Sequence, residues 1–585
     1  MDKKIRYNTN MIDARIEMKK KIISILLVLT IALFSAACGN TAEENANALS
    51  KNEQQTEAAW QESEQQETEK QTAKKENAAD SGEEQDENAP LGIYKTELSN
   101  SYGEMVNDNY YSFYATNQYF LADEDTTLRY PELADALMQL KQQKEQVFDA
   151  ATASLLDSLK FMIETESYPI ELNDDTETRV LRADNVLFSF IDTNSNYYGG
   201  AHGLYGSSGY AFDVETGKEL SFSDIIVDES KIRDIIAGKL DEEYGDIFSE
   251  DIYTTIAQYD FNNLCWSIGY FDVTLYFNPY DLGPFSSGSQ QVVFPFSEYA
   301  DLFVDKYLTI PEQFAVQLGE MERFCMDVDA DGEDETVALS TNYLEDDYYS
   351  MLISVDGKET DSDYRTYSID PYLIKSGDKV YLYLFEHLEN DYVILKVFDF
   401  AKEAFVEQEK ENLYFPGKSN YEERDNIFFC ESTQPVFNNP EKVVLASRLD
   451  TLSTYGGTKE YYINENGIPV TEDDYYDVEV NFLLKTLEDI PCDIVSGEDM
   501  NNATSGNIPA GTYIKIVSAT KDKVFAVEAV GYLPGENNEM YGYYEDENTK
   551  YNTAEMFCIQ LDEAFGNTIN ERDVGELFDG LMYAG

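Results

Sequence analysis

The chain has 585 residues, with 113 acidic and 42 basic side chains and a formal net charge of −71. Hydrophobic residues make up 43% and aromatics 13%, enough for real packed cores, so most of the chain is not disordered. A body this negative repels phosphate backbones and anionic lipid, which excludes general nucleic-acid binding and leaves membrane attachment to a dedicated device. Only two histidines exist, His202 and His387, which excludes His-rich metal centres and most His-dependent catalysis.

The amino terminus supplies such a device. A basic cluster, Met18-Lys19-Lys20-Lys21, precedes a 13-residue apolar run from Ile22 to Phe34, then Ser35-Ala36-Ala37-Cys38-Gly39. The run is too short to span a bilayer, which needs about 20 residues. The order basic, apolar, small is that of a secretory signal. A cysteine directly after small residues resembles a bacterial lipobox, although Ser35 stands where leucine is usual. Residues 1–38 are therefore expected to be a lipoprotein signal with Cys38 as the attachment point of a diacylglycerol anchor. Translation starts at Met1 or Met18. Two acyl chains anchor firmly where one does not. The expected location is the extracytoplasmic face of the cell membrane.

Residues 39–90 are rich in Glu, Gln, Ala, Asn, Lys and Thr, and Trp60 is their one large aromatic. Such a segment buries too little apolar area to offset chain entropy, and is expected to be a disordered acidic linker. As a coil it would span roughly 40 Å. The later cysteines, Cys265, Cys325, Cys430, Cys492 and Cys558, are far apart and odd in number. That pattern reads as free, buried thiols rather than a disulfide framework.

Three folded regions are expected. In the first, 91–310, Tyr110–Tyr114 and Tyr119-Phe120 read as strands. Pro131 opens a long helix whose stripe runs through Leu133, Leu137, Leu140, Val147, Ala151, Leu155, Leu159 and Met162. The polar stretch Lys141–Gln146 is a candidate break in it. Val186–Phe190, Val273–Phe277 and Val292–Phe296 read as strands, and Ile232, Ile235, Ile236 and Leu240 as a second helical stripe. Strands and helices mix without regular βαβ alternation, so the fold class is α+β: a mixed helix and antiparallel-sheet domain followed by mostly-β domains.

An ordered set of motifs runs through this region: Tyr198-Gly199-Gly200-Ala201-His202-Gly203, then Phe212-Asp213 with Thr216-Gly217-Lys218-Glu219-Leu220, then Leu275-Tyr276-Phe277-Asn278-Pro279-Tyr280, Gly283-Pro284 and Gly288. Over about 95–306 this set resembles the RsiV-like and PdaC-type pair of extracytoplasmic domains of unknown function. The resemblance implies an extracytoplasmic binding or sensing module; in the anti-sigma factor of that group it binds lysozyme. No spanning helix, sigma-binding segment or paired-histidine deacetylase site accompanies it here. Gly199, Gly200, His202 and Gly203 are the candidate binding or structural motif. His202 reads more readily as a polar side chain held on a glycine turn than as a general base, since no nucleophile motif accompanies it.

The second region, 311–480, opens with Asp327-Val328-Asp329-Ala330-Asp331-Gly332-Glu333-Asp334-Glu335. Alternating carboxylates around a glycine turn suit a hard cation such as calcium. Position 12 of an EF-hand would be Ala338, so the pattern resembles the calcium hairpin of propeller-type repeats instead. The expected ligands are Asp327, Asp329, Asp331 and Glu335 with the backbone oxygen of Glu333; the alternative is a solvated acidic turn. Met351–Val355, the turn Asp356-Gly357, Val380–Phe385 and Val393–Phe400 read as sequential strands of a propeller-like assembly or a meander. The last region, 481–585, reads as a small SH3-like β-barrel built on Tyr513–Val517 and Val524–Val530 and closed by Phe578–Tyr583. Gly417-Lys418-Ser419 is no phosphate loop, because Asn412 stands where its first glycine is required.

No catalytic motif is found, so the chain is not expected to be an enzyme. The leading expectation is a lipid-anchored binding or sensing protein whose partner is a cell-wall glycan or an envelope protein such as a cationic muramidase. The alternatives are a carboxylate-dependent cell-wall hydrolase, which needs no histidine, and a structural spacer.

Overall fold

The computed structural model describes residues 90–582 except 108, 166, 246–247, 249–250, 345–347, 363–365, 389–392, 401–404, 408–426, 429–432, 479, 497–502, 533–542, 546–548 and 565. The signal segment, Cys38, the linker up to residue 89, Cys430, residues 417–419 and Tyr583 lie outside the described residues. No described helix is long and apolar enough to cross a membrane. The fold is α+β, with a mixed N-terminal part and mostly β structure after it.

Ile93–Val106 (β1) and Asn109–Ala122 (β2) make one long antiparallel hairpin, in register from Ile93 opposite Ala122 to Val106 opposite Asn109. The two aromatic stretches at 110–120 are therefore a single strand. Pro131–Glu164 (α1) follows, with proline in its first turn. Leu172–Ala183 (β3) runs parallel to β2 through Phe113–Ala115, and Leu187–Tyr197 (β4) and Leu204–Asp213 (β5) complete the sheet antiparallel. Leu133, Leu137 and Leu140 of α1 pack with Phe120, Phe188 and Phe190, while Leu155 and Leu159 pack with Tyr111, Phe113 and Leu172.

The helix is not broken at 141–146. Lys144 takes the inward position one turn after Leu140, and Val147, expected on the stripe, is exposed. Lys144 Nζ donates to the Gln118 carbonyl and to Asp192 Oδ2, both at 2.6 Å, and Thr178 Oγ1 donates to Asp192 Oδ1 at 2.6 Å. Burial pulls the Lys144 pKa down, and the Asp192 charge opposes the shift. An ion pair thus fills a core slot that an apolar pattern search passes over.

Glu229–Tyr244 (α2) buries Ile232, Ile236 and Leu240 in a core shared with the sheet Cys265–Ile268 (β6), Asp272–Phe277 (β7) and Gln290–Pro295 (β8). The two sheets meet at Gly209 of β5. A Cβ there would sit 1.7 Å from the Trp266 carbonyl oxygen, so only glycine permits the approach.

Tyr270 stacks on Phe314 at 4.2 Å and Phe271 on Phe324 at 4.6 Å, so one core continues across position 310. Gln313–Gln317 (β9) forms the edge of a further sheet. Glu322–Met326 (β10), Glu335–Tyr343 (β11), Tyr349–Val355 (β12) and Lys358–Asp361 (β13) form a meander in sequence order. Asp356 and Gly357 turn it with φ of 48° and 79°, the left-handed pair a two-residue hairpin requires. Ser368–Ser376 (β14), Lys379–His387 (β15) and Val393–Phe400 (β16) pair successively beside β9.

In the C-terminal part, Val443–Leu449, Tyr455–Ile463 and Tyr476–Asp477 pair in series, and the last of these pairs with Tyr513–Ala519. That sheet therefore runs across position 480. Phe578–Asp579 returns to pair with Lys485-Thr486. Thr433–Pro435 pairs with Tyr94–Thr96, so a late segment completes the first sheet. The described residues fall in one compact unit. The four described cysteines are free and half-buried rather than fully buried.

Candidate functional site

Two of the motif loops converge. The β4–β5 connection carries Tyr198–Gly203, and the β7–β8 connection carries Asn278–Gly288. Gly199 and Gly200 hold φ of +89° and +135°, and a Cβ on Gly203 would sit 2.6 Å from the Asn196 carbonyl oxygen, so three glycines shape the first loop. The Asn278 side chain clamps the second loop to β5. Its Oδ1 accepts from Ser207 N–H at 2.8 Å and its Nδ2 donates to the Ser207 carbonyl at 3.0 Å.

The clamp builds an aromatic platform. His202 stacks on Phe285 with ring centroids 4.1 Å apart and planes 19° apart. Tyr205 meets Phe285 edge-on at 5.8 Å, and Tyr280 leans on it at 5.7 Å. Phe285 is half-buried at the centre. Tyr280 is 60% exposed, and Leu204 and Tyr205 are nearly half exposed. Tyr280 holds a φ of 83°, costly for a bulky side chain. Asp281 Oδ2 accepts from Asn278 N–H at 2.7 Å and keeps that turn closed. His202 Nδ1 lies 2.8 Å from the Gly203 carbonyl oxygen, and the ring is exposed. The arrangement offers an amphipathic contact surface, and among the described residues no nucleophile is hydrogen-bonded to the imidazole.

The acidic hairpin lies between β10 and β11. Single carboxylate oxygens of Asp327, Asp329 and Glu335 come within 4.8 Å of one another. Asp331 is not in that group, which holds side-chain oxygens alone. Asp331 instead accepts from the Glu333 N–H at 2.8 Å, and its own N–H donates to Asp327 and Asp329 at 3.2 and 3.1 Å. Ala330 and Gly332 turn the loop with φ of 61° and 93°. The Glu335 carboxyl is pushed up, by desolvation first and then by the charges of Asp329, Asp331 and Asp327. The three converging oxygens suit a hard, oxygen-seeking cation.

A third site had no sequence signature. Arg179 of β3 donates to Glu322 of β10 at 2.7 Å. Asp272 of β7 lines the same cavity of about 50 Å³, together with Tyr276, Ser267 and Gln317. Burial first and the Glu322 charge second raise the Asp272 carboxyl to about 6, against a hydrogen bond from Thr274 and the charge of Arg179. A carboxyl whose proton affinity is raised, set beside a second acidic side chain, is the raw material of acid–base chemistry. The space beside them is far below the roughly 300–1,000 Å³ of ligand pockets and suits ordered water.

Of the residues that matter here, Tyr205, Phe285, Asp272, Arg179 and Glu322 were not singled out from sequence. Phe285 carried a faint signal, directly after Gly283-Pro284. His387 bonds Asp370 at 2.8 Å across β14 and β15, far in sequence from the His202 platform.

No family model matches the sequence, and no curated protein matches it. Two crystal structures of DUF3298 family members are similar to part of the chain. The protein from Bacteroides fragilis is 14% identical, covering 37% of this chain and 96% of that one, with a TM-score of 0.28. The protein from Pseudomonas aeruginosa is 16% identical, covering 39% of this chain and 100% of that one, with a TM-score of 0.27.

Proposed function

We propose that this chain is a lipid-anchored, extracytoplasmic binding protein of the RsiV-like and PdaC-type group, tethered through Cys38, and that it recognises a cationic envelope protein of the muramidase kind. The observation that carries the reading is the convergence of both motif loops on one exposed aromatic platform, around Phe285. Rigid aromatics with a polar rim bind at low entropic cost. The net charge of −71 supplies long-range attraction for a basic partner and sets orientation before contact.

The hydrolase reading finds less support, because the Asp272 and Glu322 pair faces a space too small for a sugar ring. The carboxylates of Asp327, Asp329 and Glu335 are proposed to hold a calcium ion with a structural role, since a cation would relieve their mutual repulsion.

The test is isothermal titration of the purified chain with a basic muramidase at low and high salt, beside a Tyr280→Ala, Phe285→Ala variant. The reading expects affinity to fall at least tenfold in the variant and to weaken steeply with salt. Binding to isolated glycan strands but not to the muramidase would replace the partner class. Absence of both would refute the reading.

A further inference from the structure

The β1–β2 hairpin leaves a second surface unused. Among the described residues, Thr433–Pro435 covers β1 at Tyr94–Thr96 and no further. Beyond it, no described strand pairs with the outer edge of Glu97–Val106, and eight of these ten residues are exposed. The run is about 34 Å long. Exposed edges in natural sheets are guarded by lysine, proline or bulges. This one contains no Lys, Arg or Pro, and its register with β2 is continuous.

The side chains beside the edge suit an incoming strand. On one face stand Tyr102, stacked on Phe113 at 6.2 Å, and Glu104, which accepts from the Tyr102 hydroxyl. On the other, Glu97, Ser99, Ser101 and Gly103 form a low floor that ends at Met105. Tyr110 lies over Gly103 so closely that a Cβ would sit 2.0 Å from its hydroxyl. Met105 and Tyr110 are 63% and 59% exposed, forming an apolar stop at the tip.

We propose that Glu97–Val106 is a strand-addition site for an extended, cationic peptide segment. Main-chain hydrogen bonds would supply the pairing, and alternate side chains would meet the two faces. Charge selects the occupant. Glu97 and Glu104 are the only charged residues on the run, and the whole chain carries −71. A second copy of the chain would bring the same acids and the same field to the same edge, so a basic segment is favoured over self-pairing.

Hydrogen exchange of the full chain tests this with blocked eight-residue probes. One alternates Lys and Val, one alternates Glu and Val, and one repeats the Lys–Val sequence with alternate amides N-methylated. The proposal expects the Lys–Val peptide to slow about every second amide of 97–106 at least tenfold, and both controls to leave them unchanged. A Glu97→Lys, Glu104→Lys variant should lose the effect while exchange in β3–β5 stays as in the parent. Four results would overturn the proposal: no slowing with Lys–Val, equal slowing with Glu–Val or the N-methylated peptide, amides already slow in dilute protein alone, or slowing that grows with protein concentration, which would make a second copy the occupant.

Discussion

Replacing Asp272 by Asn should stabilise the protein at neutral pH. In the fold this carboxyl is raised from 3.8 to about 6, chiefly by burial and then by Glu322. Above pH 4 the unfolded chain ionises at this position while the folded chain still holds the proton, so each step up in pH favours unfolding. The favourable contribution is complete below about pH 4 and is lost as pH rises through about 6. The shift corresponds to a cost of about 3 kcal/mol at pH 7. That figure is a ceiling, because Asp272 keeps partial contact with solvent. Asparagine retains an oxygen to accept from Thr274 Oγ1, which sits at 3.0 Å, and removes the charge facing Glu322. Urea denaturation of parent and variant at pH 4, 5, 6 and 7 isolates the group, since every other titration is common to both. The expected gain is near zero at pH 4 and grows to as much as about 3 kcal/mol by pH 7. A variant weaker than its parent at pH 7 would refute the reasoning. It would mean that Arg179 compensates the ionised Asp272 more than burial penalises it.

The buried pair of Lys144 in α1 and Asp192 in β4 gives a loss of opposite sign. Lys144→Met leaves Asp192 uncompensated in the core and should cost about 3–5 kcal/mol, read from the urea midpoint; a Lys144→Met, Asp192→Asn double variant should recover part of it. His202→Ala removes an exposed ring that stacks on Phe285 and should change stability by no more than about 1 kcal/mol while weakening muramidase binding. A loss much beyond that in thermal unfolding would make His202 a structural keystone instead. For the acidic hairpin, titration of calcium into EDTA-stripped protein should give heat with affinity on the order of 10⁻⁴–10⁻³ M, as in extracellular modules. Asp327→Asn should abolish that heat, and silence in the parent at millimolar calcium ends the metal reading.

Local patterns alone make several elements legible. The period of Leu133, Leu137 and Leu140, with proline at the first turn, announces α1. Asp356-Gly357 announces a tight hairpin because both residues tolerate positive φ. The aspartates around Gly332 announce a turn crowded with carboxylates. The placement of Lys144 is not legible, since a charged residue enters an apolar stripe only when a partner 48 residues away, Asp192, meets it. The boundaries at 310 and 480 mark changes in local pattern, whereas core packing and strand pairing continue across both positions.

The functional surfaces divide in the same way. Sequence supplied the acidic field, the glycine turns around His202 and the order of the motifs, because composition and backbone permissiveness are properties of residues and their neighbours. Tertiary structure supplied the rest. It set Phe285 under His202, brought Asp272 to the Arg179 and Glu322 pair, and left one flank of β1 with no partner strand among the described residues beyond Thr96. Each of these depends on which distant strands lie side by side, and in this chain the deciding contacts join residues 83, 143 and more than 330 positions apart, where no local period or spacing carries information.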